Sequence, residues 1–211
     1  MRAPYCLALA VAMGFSPCRA QELKPIALPR PRTDAGMPLM QALAARKSAR
    51  DFSSRPLSLE TLSGLLWAAF GVNRPDGRRT APSAMNAQEI DIYVALPEGV
   101  YRFEPGEHLL NPVVAGDLRS KTGVQPFVGE AAVNLVYVAD YARSKPNPEA
   151  AAEYASVDTG FIGQNVYLFC ASEGLGTVFR ASLDREGLAK AIHLRPDQHI
   201  TFAQSVGYTK Q

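Results

Sequence analysis

The run VNLVYVAD (Val133–Asp140) most constrains the fold, because it is apolar at almost every position. A near-continuous apolar strand is typical of a sheet covered on both faces, whereas a strand with one solvated face alternates. A second run, IDIYVAL (Ile90–Leu96), has aliphatic residues at alternate positions, Ile90, Ile92, Val94 and Leu96, and also predicts a strand. We therefore expect one central sheet with other layers packed against it.

Further strands and helices can be placed from their patterns. The sequence GVYRFEPGEHLL predicts a hairpin turning at Pro105–Gly106, and GTVF and QHITFAQSVGY predict two more strands. Helices are predicted from Met37 to about Ala45, after Ser58 as far as Gly71 with a buried stripe, from Pro148 to about Glu173 before Gly174, and after the capping residue Asp184. The predicted stripe of the second helix consists of Leu59, Leu62, Leu65, Leu66 and Ala69.

The order of these elements shows no regular βαβ rhythm and no internal repeat. The predicted class is therefore α+β, with a central, mainly antiparallel sheet flanked by helices. A chain of 211 residues, 47% hydrophobic and 20% charged, is long enough for one such domain. Its formal net charge of +2 is too small to indicate a protein that binds nucleic acid or a membrane surface.

The amino terminus has the composition of a secretory signal. Residues 1–20 combine one arginine, the short apolar run LALAVAMGF and small residues before a cleavage point after about Ala20. This predicts export, most simply to the periplasm, with a proline-rich extended arm over 21–36 and a single domain over 37–211. Lipidation at Cys18 is an open alternative. After cleavage only Cys170 would remain, and its helical apolar surroundings predict a buried, unreactive thiol.

The usual motifs of covalent and metal catalysis are missing from the sequence. It contains no GxGxxG, GxxxxGK[ST], HExxH or GxSxG. His108, His193 and His199 lie apart, so surface or structural roles are predicted for them rather than a metal site. Nothing in the sequence predicts a protein nucleophile.

Three polar or glycine-bearing clusters lie next to strong structural elements. They are RKSAR at the end of the first helix, TAPSAMNAQE before a strand, and GLGTVFRASLD, which joins a helix end to a strand. Cations and a hydroxyl group can hold a phosphate, and an amide can bond to ring heteroatoms. The alternative for RKSAR alone is a solvated helix terminus, where cations are also favoured. Together, the clusters suit a planar ligand with an anionic group.

In this order, the clusters resemble the FMN-dependent nitroreductase superfamily. The matching stretches are RKSAR, PSAMNAQ, DTGFIGQNVYL (Asp158–Leu168) and GLG (Gly174–Gly176), within about residues 37–210. The stretches LLWAAFGVNRPDGRRTAPSAMN and SVGYTK are most similar to the small azoline-oxidase-like dehydrogenases. This resemblance implies the nitroreductase-like fold and FMN as the cofactor.

The resemblance also implies roles for individual residues. Arg46, Lys47 and Ser48 match positions that hold the FMN phosphate and ribityl chain, and Arg50 matches a cation near the N1/C2=O side of the ring, where it would stabilise negative charge on the reduced flavin. The ring-facing residues implied are Asn86 at the pyrimidine edge, Pro82, Ser83 and Ala84 along the ring, and Ala181 and Ser182, whose backbone N–H groups would approach N5 and O4.

Some assignments stay open within the resemblance. Arg79 could join the flavin site or be a loop cation, while Arg180 and Asp158 are predicted to be mainly structural. The sequence lacks the basic carboxy-terminal extension of many relatives, so Lys210 is the only candidate for the further phosphate ligand. The large helical insertion that shapes the substrate pocket of classical nitroreductases is also missing.

The activity implied is a ping-pong oxidation and reduction of small molecules, with the hydride passing through flavin N5 and no catalytic side chain. The family resemblance further implies a homodimer with FMN at the interface, each site built from both chains, and the long helix 149–173 at its centre. Two alternatives are a flavin-binding envelope protein without turnover and a flavin-cleaving enzyme of the same fold. The sequence does not identify the electron donor or acceptor.

Overall fold

The computed structural model describes residues 22–144 and 148–210, and these form one sheet with helices on both faces. The predicted export signal, 1–20, lies outside the described residues. Seven strands are present: β1 (Ile26–Ala27), β2 (Ile90–Leu96), β3 (Gly99–Glu104), β4 (Leu109–Ala115), β5 (Val133–Asp140), β6 (Gly176–Arg180) and β7 (Gln198–Gly207). The four α-helices are α1 (Leu39–Ala45), α2 (Leu59–Phe70), α3 (Pro148–Ser172) and α4 (Arg185–Ala191).

The sheet runs in the order β1-β4-β3-β2-β5-β7-β6, and every neighbouring pair is antiparallel. This confirms the predicted α+β class and the hairpin at Pro105–Gly106. All eight residues of β5 are buried, as its apolar run predicts. Leu135 and Tyr137 contribute to the core under α2 and α3, whereas Val136 and Val138 pack with α4 on the other face. A strand presents alternate residues to opposite faces, so β5 joins both cores.

The helix boundaries follow from capping groups in the sequence. The Ser58 hydroxyl accepts the N–H of Thr61 at 3.1 Å, and the Asp184 carboxylate accepts the N–H of Gly187 at 3.0 Å. Each side chain satisfies an N–H group that has no partner within its own helix. The predicted starts of α2 and α4 are therefore correct.

Two details of the predicted helices are wrong. The first helix begins at Leu39 rather than Met37, because Pro38 is its N-cap and has an extended ψ of 140°. The apolar spacing predicts that Leu59 belongs to the buried stripe of α2, but its side chain is 41% exposed. It is the first residue of that helix, where the side chain projects past the end of the apolar face.

The arm predicted over 21–36 is docked on the domain. Ile26–Ala27 pairs with β4 at one edge of the sheet. The buried hydroxyl of Ser63 donates to the carbonyl of Pro29, and the N–H of Met37 donates to the Ser172 hydroxyl at 2.7 Å. The arm thus crosses α2 and reaches the end of α3.

The described residues were also searched for membrane-spanning helices, metal-ligand clusters and reactive cysteines. No helix in 22–144 or 148–210 combines the length and apolar composition needed to cross a bilayer. Over the same ranges, no three His, Cys, Asp or Glu side chains come together as metal ligands. Cys170 is completely buried in α3, and burial raises the pKa of its thiol, so it is the unreactive cysteine that its sequence environment predicts.

Candidate functional site

The candidate site is organised by the outer edge of β6, the last strand of the sheet. Among the described strands, β7 alone pairs with β6 along its length. An edge strand leaves alternate N–H and C=O groups without strand partners. Here the carbonyl of Thr177 accepts the N–H of Ala49 at 2.9 Å, and the N–H of Phe179 donates to the Tyr167 hydroxyl at 3.0 Å. The RKSAR segment is therefore fixed alongside this edge.

Tyr167 joins the predicted phosphate-binding segment to the strand. Its hydroxyl lies 2.8 Å from the Ser48 hydroxyl as well as bonding to Phe179. The guanidinium of Arg46 lies 5.3 Å from the centre of the Tyr167 ring, a cation–π distance. Tyr167 therefore positions both Arg46 and Ser48.

The cations of this segment are not in ion pairs with other side chains. Among residues 22–144 and 148–210, the salt bridges involve several other cations, but not Arg46, Lys47 or Arg50. Lys47 and Ala49 line a cavity of about 250 Å³ between the end of α1, α3 and β6. Three unneutralised cations beside a hydroxyl group form a suitable environment for an anion.

Lys210 is brought to the same part of the molecule but is engaged by carboxylates. The N–H of Ser53 donates to the carbonyl of Tyr208 at 2.8 Å, and that of Lys210 donates to the carbonyl of Asp51 at 3.2 Å. The Lys210 ammonium lies 2.8 Å from Glu130 and 3.4 Å from Asp51, and these contacts raise its pKa. Its role as a phosphate ligand stays a prediction.

Ala181 and Ser182 continue the same strand edge beyond β6. Thr177 and Phe179 both turn a backbone group outward, so Ala181 is the next residue in that alternation. Both Ala181 and Ser182 are exposed, and the carbonyl of Ser182 accepts the N–H of Val124 at 3.3 Å. The predicted phosphate-binding and N5-facing residues thus share one edge, with Ala181 about 13 Å along the strand from Thr177.

Arg180 lies between these exposed positions and points into the protein. It is 5% exposed, and its guanidinium donates to the carbonyl of Thr122 at 2.8 Å and to the Asn134 side chain at 3.3 Å. Burial lowers its pKa to about 10. These contacts agree with the predicted structural role.

The loop 82–88 holds the other predicted ring-facing residues in an unusual conformation. Met85, Asn86 and Gln88 have positive φ values of 52°, 53° and 51°. A left-handed conformation is unfavourable for residues other than glycine, although asparagine tolerates it better than most. Two hydrogen bonds hold the loop: Asp158 accepts the N–H of Ala84 at 2.9 Å, and the Ser83 hydroxyl accepts that of Gln88 at 2.9 Å. Pro82 and Asn86 are exposed on it.

Arg79 contacts this loop through the side chain of Gln88. Its Nε donates to the Gln88 side chain at 3.0 Å, and the same Gln88 donates to the Asn86 side chain at 3.1 Å. The guanidinium lies 5.5 Å from the centre of the Phe70 ring, and burial lowers its pKa. Arg79 therefore acts on Asn86 through Gln88.

The two groups of predicted residues lie on opposite sides of α3. Tyr167 contacts the RKSAR segment, and Asp158 contacts the 82–88 loop. These residues are nine positions apart on one continuous helix, which is two and a half turns and about 13 Å along the axis. Their side chains therefore leave α3 in opposite directions. The cavity beside the RKSAR segment has no lining residue from the 82–88 loop, and the cavity beside that loop has none from RKSAR.

The family model for the Nitroreductase family matches residues 43–208. The chain belongs to the nitroreductase family. A nitroreductase-like protein of Methanocaldococcus jannaschii is 35% identical over 151 residues, covering 66% of this chain and 76% of the relative. The crystal structure of a nitroreductase-like protein from Ralstonia eutropha JMP134 is 46% identical, with a TM-score of 0.85 over 89% of this chain and 90% of that chain.

A more distant neighbour shares the fold. The NADPH:FMN oxidoreductase of Vibrio harveyi, solved in complex with NAD⁺, has a TM-score of 0.61 and 22% identity, covering 82% of this chain and 69% of that chain. Family membership makes this nitroreductase-family protein a flavin oxidoreductase that acts on small molecules. The more specific similarity to azoline-oxidase-like dehydrogenases stays a prediction.

Tyr167 belongs to the candidate site although its sequence surroundings do not single it out, because its contacts with Ser48 and Phe179 depend on the fold. We predict that Tyr167→Phe weakens flavin binding about tenfold, because Ser48 loses its partner and the Phe179 N–H is left unpaired, a loss of about 1–3 kcal/mol. Flavin titration measures the effect.

Tyr141→Phe is the matched control, because its ring stacks on His199, on strand β7, and not on the RKSAR segment. Equal flavin affinities for Tyr167→Phe and the wild type would show that Tyr167 does not position Ser48.

Proposed function

We propose that this nitroreductase-family protein is an FMN-dependent oxidoreductase with a ping-pong cycle, in which a small-molecule donor is oxidised before an acceptor is reduced. The observation that carries the proposal is the group of unpaired cations fixed beside the β6 edge by Ala49 and Tyr167. When bound, FMN would supply hydride acceptance and donation at N5. The protein would bind and orient its partners, with no side chain acting as a nucleophile.

The residues along the β6 edge fit a phosphorylated flavin. Arg46, Lys47 and the Ser48 hydroxyl would hold the phosphate, because charge-assisted hydrogen bonds to a dianion are strong and none of these cations is neutralised by a carboxylate of the described residues. Ala181 and Ser182 would offer backbone N–H groups to the ring edge. Arg50 would favour negative charge on the reduced ring.

The separation of the two clusters by α3 supports a site built from two copies of the chain. In a homodimer, the 82–88 loop of one protomer could face the RKSAR segment of its partner. α3 also exposes an apolar stripe at i, i+3 and i+7, formed by Tyr154, Val157 and Phe161. Leu39, Met40 and Leu43 of α1 are exposed as well. Exposed apolar stripes of this kind are typical of protein interfaces.

The phosphate-binding role predicts a preference for FMN over riboflavin, which has the same ring but no phosphate. Arg46→Ala should reduce FMN affinity about tenfold to hundredfold, the loss of one charge-assisted interaction, while riboflavin affinity changes little. Fluorescence titration of the apoprotein with each flavin measures both values.

Arg78→Ala, which removes an exposed cation paired with Asp76, is the control and should leave the preference unchanged. A wild-type protein that binds FMN and riboflavin equally well would refute a phosphate site in this segment.

In the proposed dimer, Phe161→Asp should convert the dimer to monomers and abolish FMN retention, because a carboxylate cannot be buried unpaired at an apolar interface. Sedimentation velocity gives the oligomeric state, and absorbance gives the FMN content. The control Lys190→Ala lowers the net charge by the same amount, but it lies on α4, on the other face of the sheet. This variant should remain a dimer and retain FMN. Monomers that retain FMN fully would contradict the proposal.

We also propose that the protein is exported, with cleavage after about Ala20, on the composition of residues 1–20. When the full chain is expressed in a bacterium, we expect a periplasmic protein whose mass, measured by intact-protein mass spectrometry, is that of a chain beginning at Gln21. A cytoplasmic protein that retains residues 1–20 would contradict this.

A further inference from the structure

Two carboxylic acids are buried together beneath the 82–88 loop. Glu89 is 1% exposed and follows the loop directly, while Asp158 is 3% exposed on α3. One oxygen of Asp158 accepts the N–H of Ala84 at 2.9 Å, which ties the loop to the helix. Glu89 also borders a small cavity shared with Met85 and Tyr154, so the acids lie between the loop and the exposed stripe of α3.

No side chain of the described residues forms a hydrogen bond that would stabilise Glu89 as an anion. Within the described residues, neither of its carboxyl oxygens has a hydrogen-bond partner. The Asp158 carboxyl group is close enough to raise the pKa of Glu89, although the two carboxyl groups form no hydrogen bond of good geometry. Proximity and burial therefore couple the two acids. An ionised carboxylate in this position would be strongly unfavourable, whereas a protonated acid is tolerated.

Arg143 lies beside Glu89 but forms its ion pairs with other carboxylates. Arg143 forms ion pairs with Asp91 at 2.8 Å and Asp140 at 3.5 Å, and it donates to the backbone carbonyl of Glu89 at 2.9 Å rather than to its carboxyl group. Burial raises the pKa of Glu89 to about 7 and the charge of Asp158 adds to this, while the Glu89 backbone N–H and the charge of Arg143 oppose it. Burial raises the pKa of the Tyr141 phenol, and the charge of Glu89 raises it further.

We propose that Glu89 and Asp158 form an acid pair that keeps one proton, and that this proton holds the 82–88 loop in its left-handed conformation. With one proton, the pair carries a single negative charge, which the Ala84 N–H stabilises. Loss of the proton to solvent leaves two buried negative charges that repel each other. The Asp158 side chain then turns toward water, and Ala84 loses its anchor. Glu89 is thus a positioning residue for Ser83 and Asn86.

The direction of the pH dependence follows from the raised pKa of Glu89. Folding shifts this pKa from its usual 4.5 to about 7, so the folded protein holds the proton more tightly than the unfolded chain. The stabilisation from the protonated pair is complete below pH 4.5 and is lost as the pH rises through about 7. The loop should therefore be ordered at acidic pH and loosened at alkaline pH.

Hydrogen exchange of the Ala84 amide in the apoprotein tests the pair without any cofactor. After correction for the intrinsic pH dependence of exchange, the wild-type amide should exchange about tenfold faster at about pH 8.5 than at about pH 6, the effect of one pKa unit of coupling. Glu89→Gln keeps the shape of the protonated acid, and its Ala84 amide should be equally protected at both values. Glu153→Gln, an exposed acid of α3, should behave as the wild type.

A second variant covers the case in which Glu89→Gln does not fold. Asp158→Asn keeps an acceptor for the Ala84 N–H but removes the neighbouring charge, so the midpoint of the exchange transition should move to lower pH. Wild-type protection that is the same at both pH values would overturn the proposal. An unshifted midpoint in Asp158→Asn, or an unchanged transition in Glu89→Gln, would also overturn it.

The effect of the acid pair on FMN affinity rests on the proposed FMN function, and it is measured separately from hydrogen exchange. Wild-type FMN affinity should fall about tenfold from about pH 6 to about pH 8.5, while Glu89→Gln keeps the higher affinity. Absence of FMN binding at every pH would refute the proposed function, whereas the exchange experiment would still decide whether the acid pair controls the loop. FMN affinity that falls equally in both proteins would refute the link between the pair and the cofactor.

Discussion

The candidate site depends on how the free edge of β6 is satisfied. An edge strand must find partners for its outward N–H and C=O groups, and here a loop segment and one phenol provide them. Ala49 bonds to Thr177, and Tyr167 bonds to Phe179 while also holding Ser48. The same contacts that complete the sheet therefore fix a row of cations along it, and no carboxylate of the described residues forms an ion pair with them. The hydrogen-bonding needs of the strand edge thus account for the geometry of the candidate site.

Much of the fold could be predicted because its signals are local. The continuous apolar run of β5 predicts a strand covered on both faces, and the capping side chains of Ser58 and Asp184 predict where α2 and α4 begin. The errors arise at element ends. The apolar pattern continues into Leu59, but the first residue of a helix lies beyond the face that packs, so it remains exposed.

The site was only partly predictable, because its geometry comes from distant contacts. The RKSAR motif and the 82–88 loop can be recognised from residue types, but the sequence does not show that α3 separates them. Tyr167 looks like a core aromatic until its hydroxyl is seen between Ser48 and Phe179. Glu89 likewise resembles an ordinary loop acid, and only its burial beside Asp158 indicates a protonated group.

In the proposed homodimer, each flavin site combines the RKSAR segment of one protomer with the 82–88 loop of its partner. The most direct measurement is the FMN content of purified mixed dimers in which one chain carries Arg46→Ala and the other Asn86→Ala, each variant alone being impaired in FMN binding. If sites are shared across the interface, one site carries both changes and the other carries neither, so half the sites regain wild-type affinity. If the mixed dimers recover no site of wild-type affinity, both halves of the site lie in one protomer and the account is wrong.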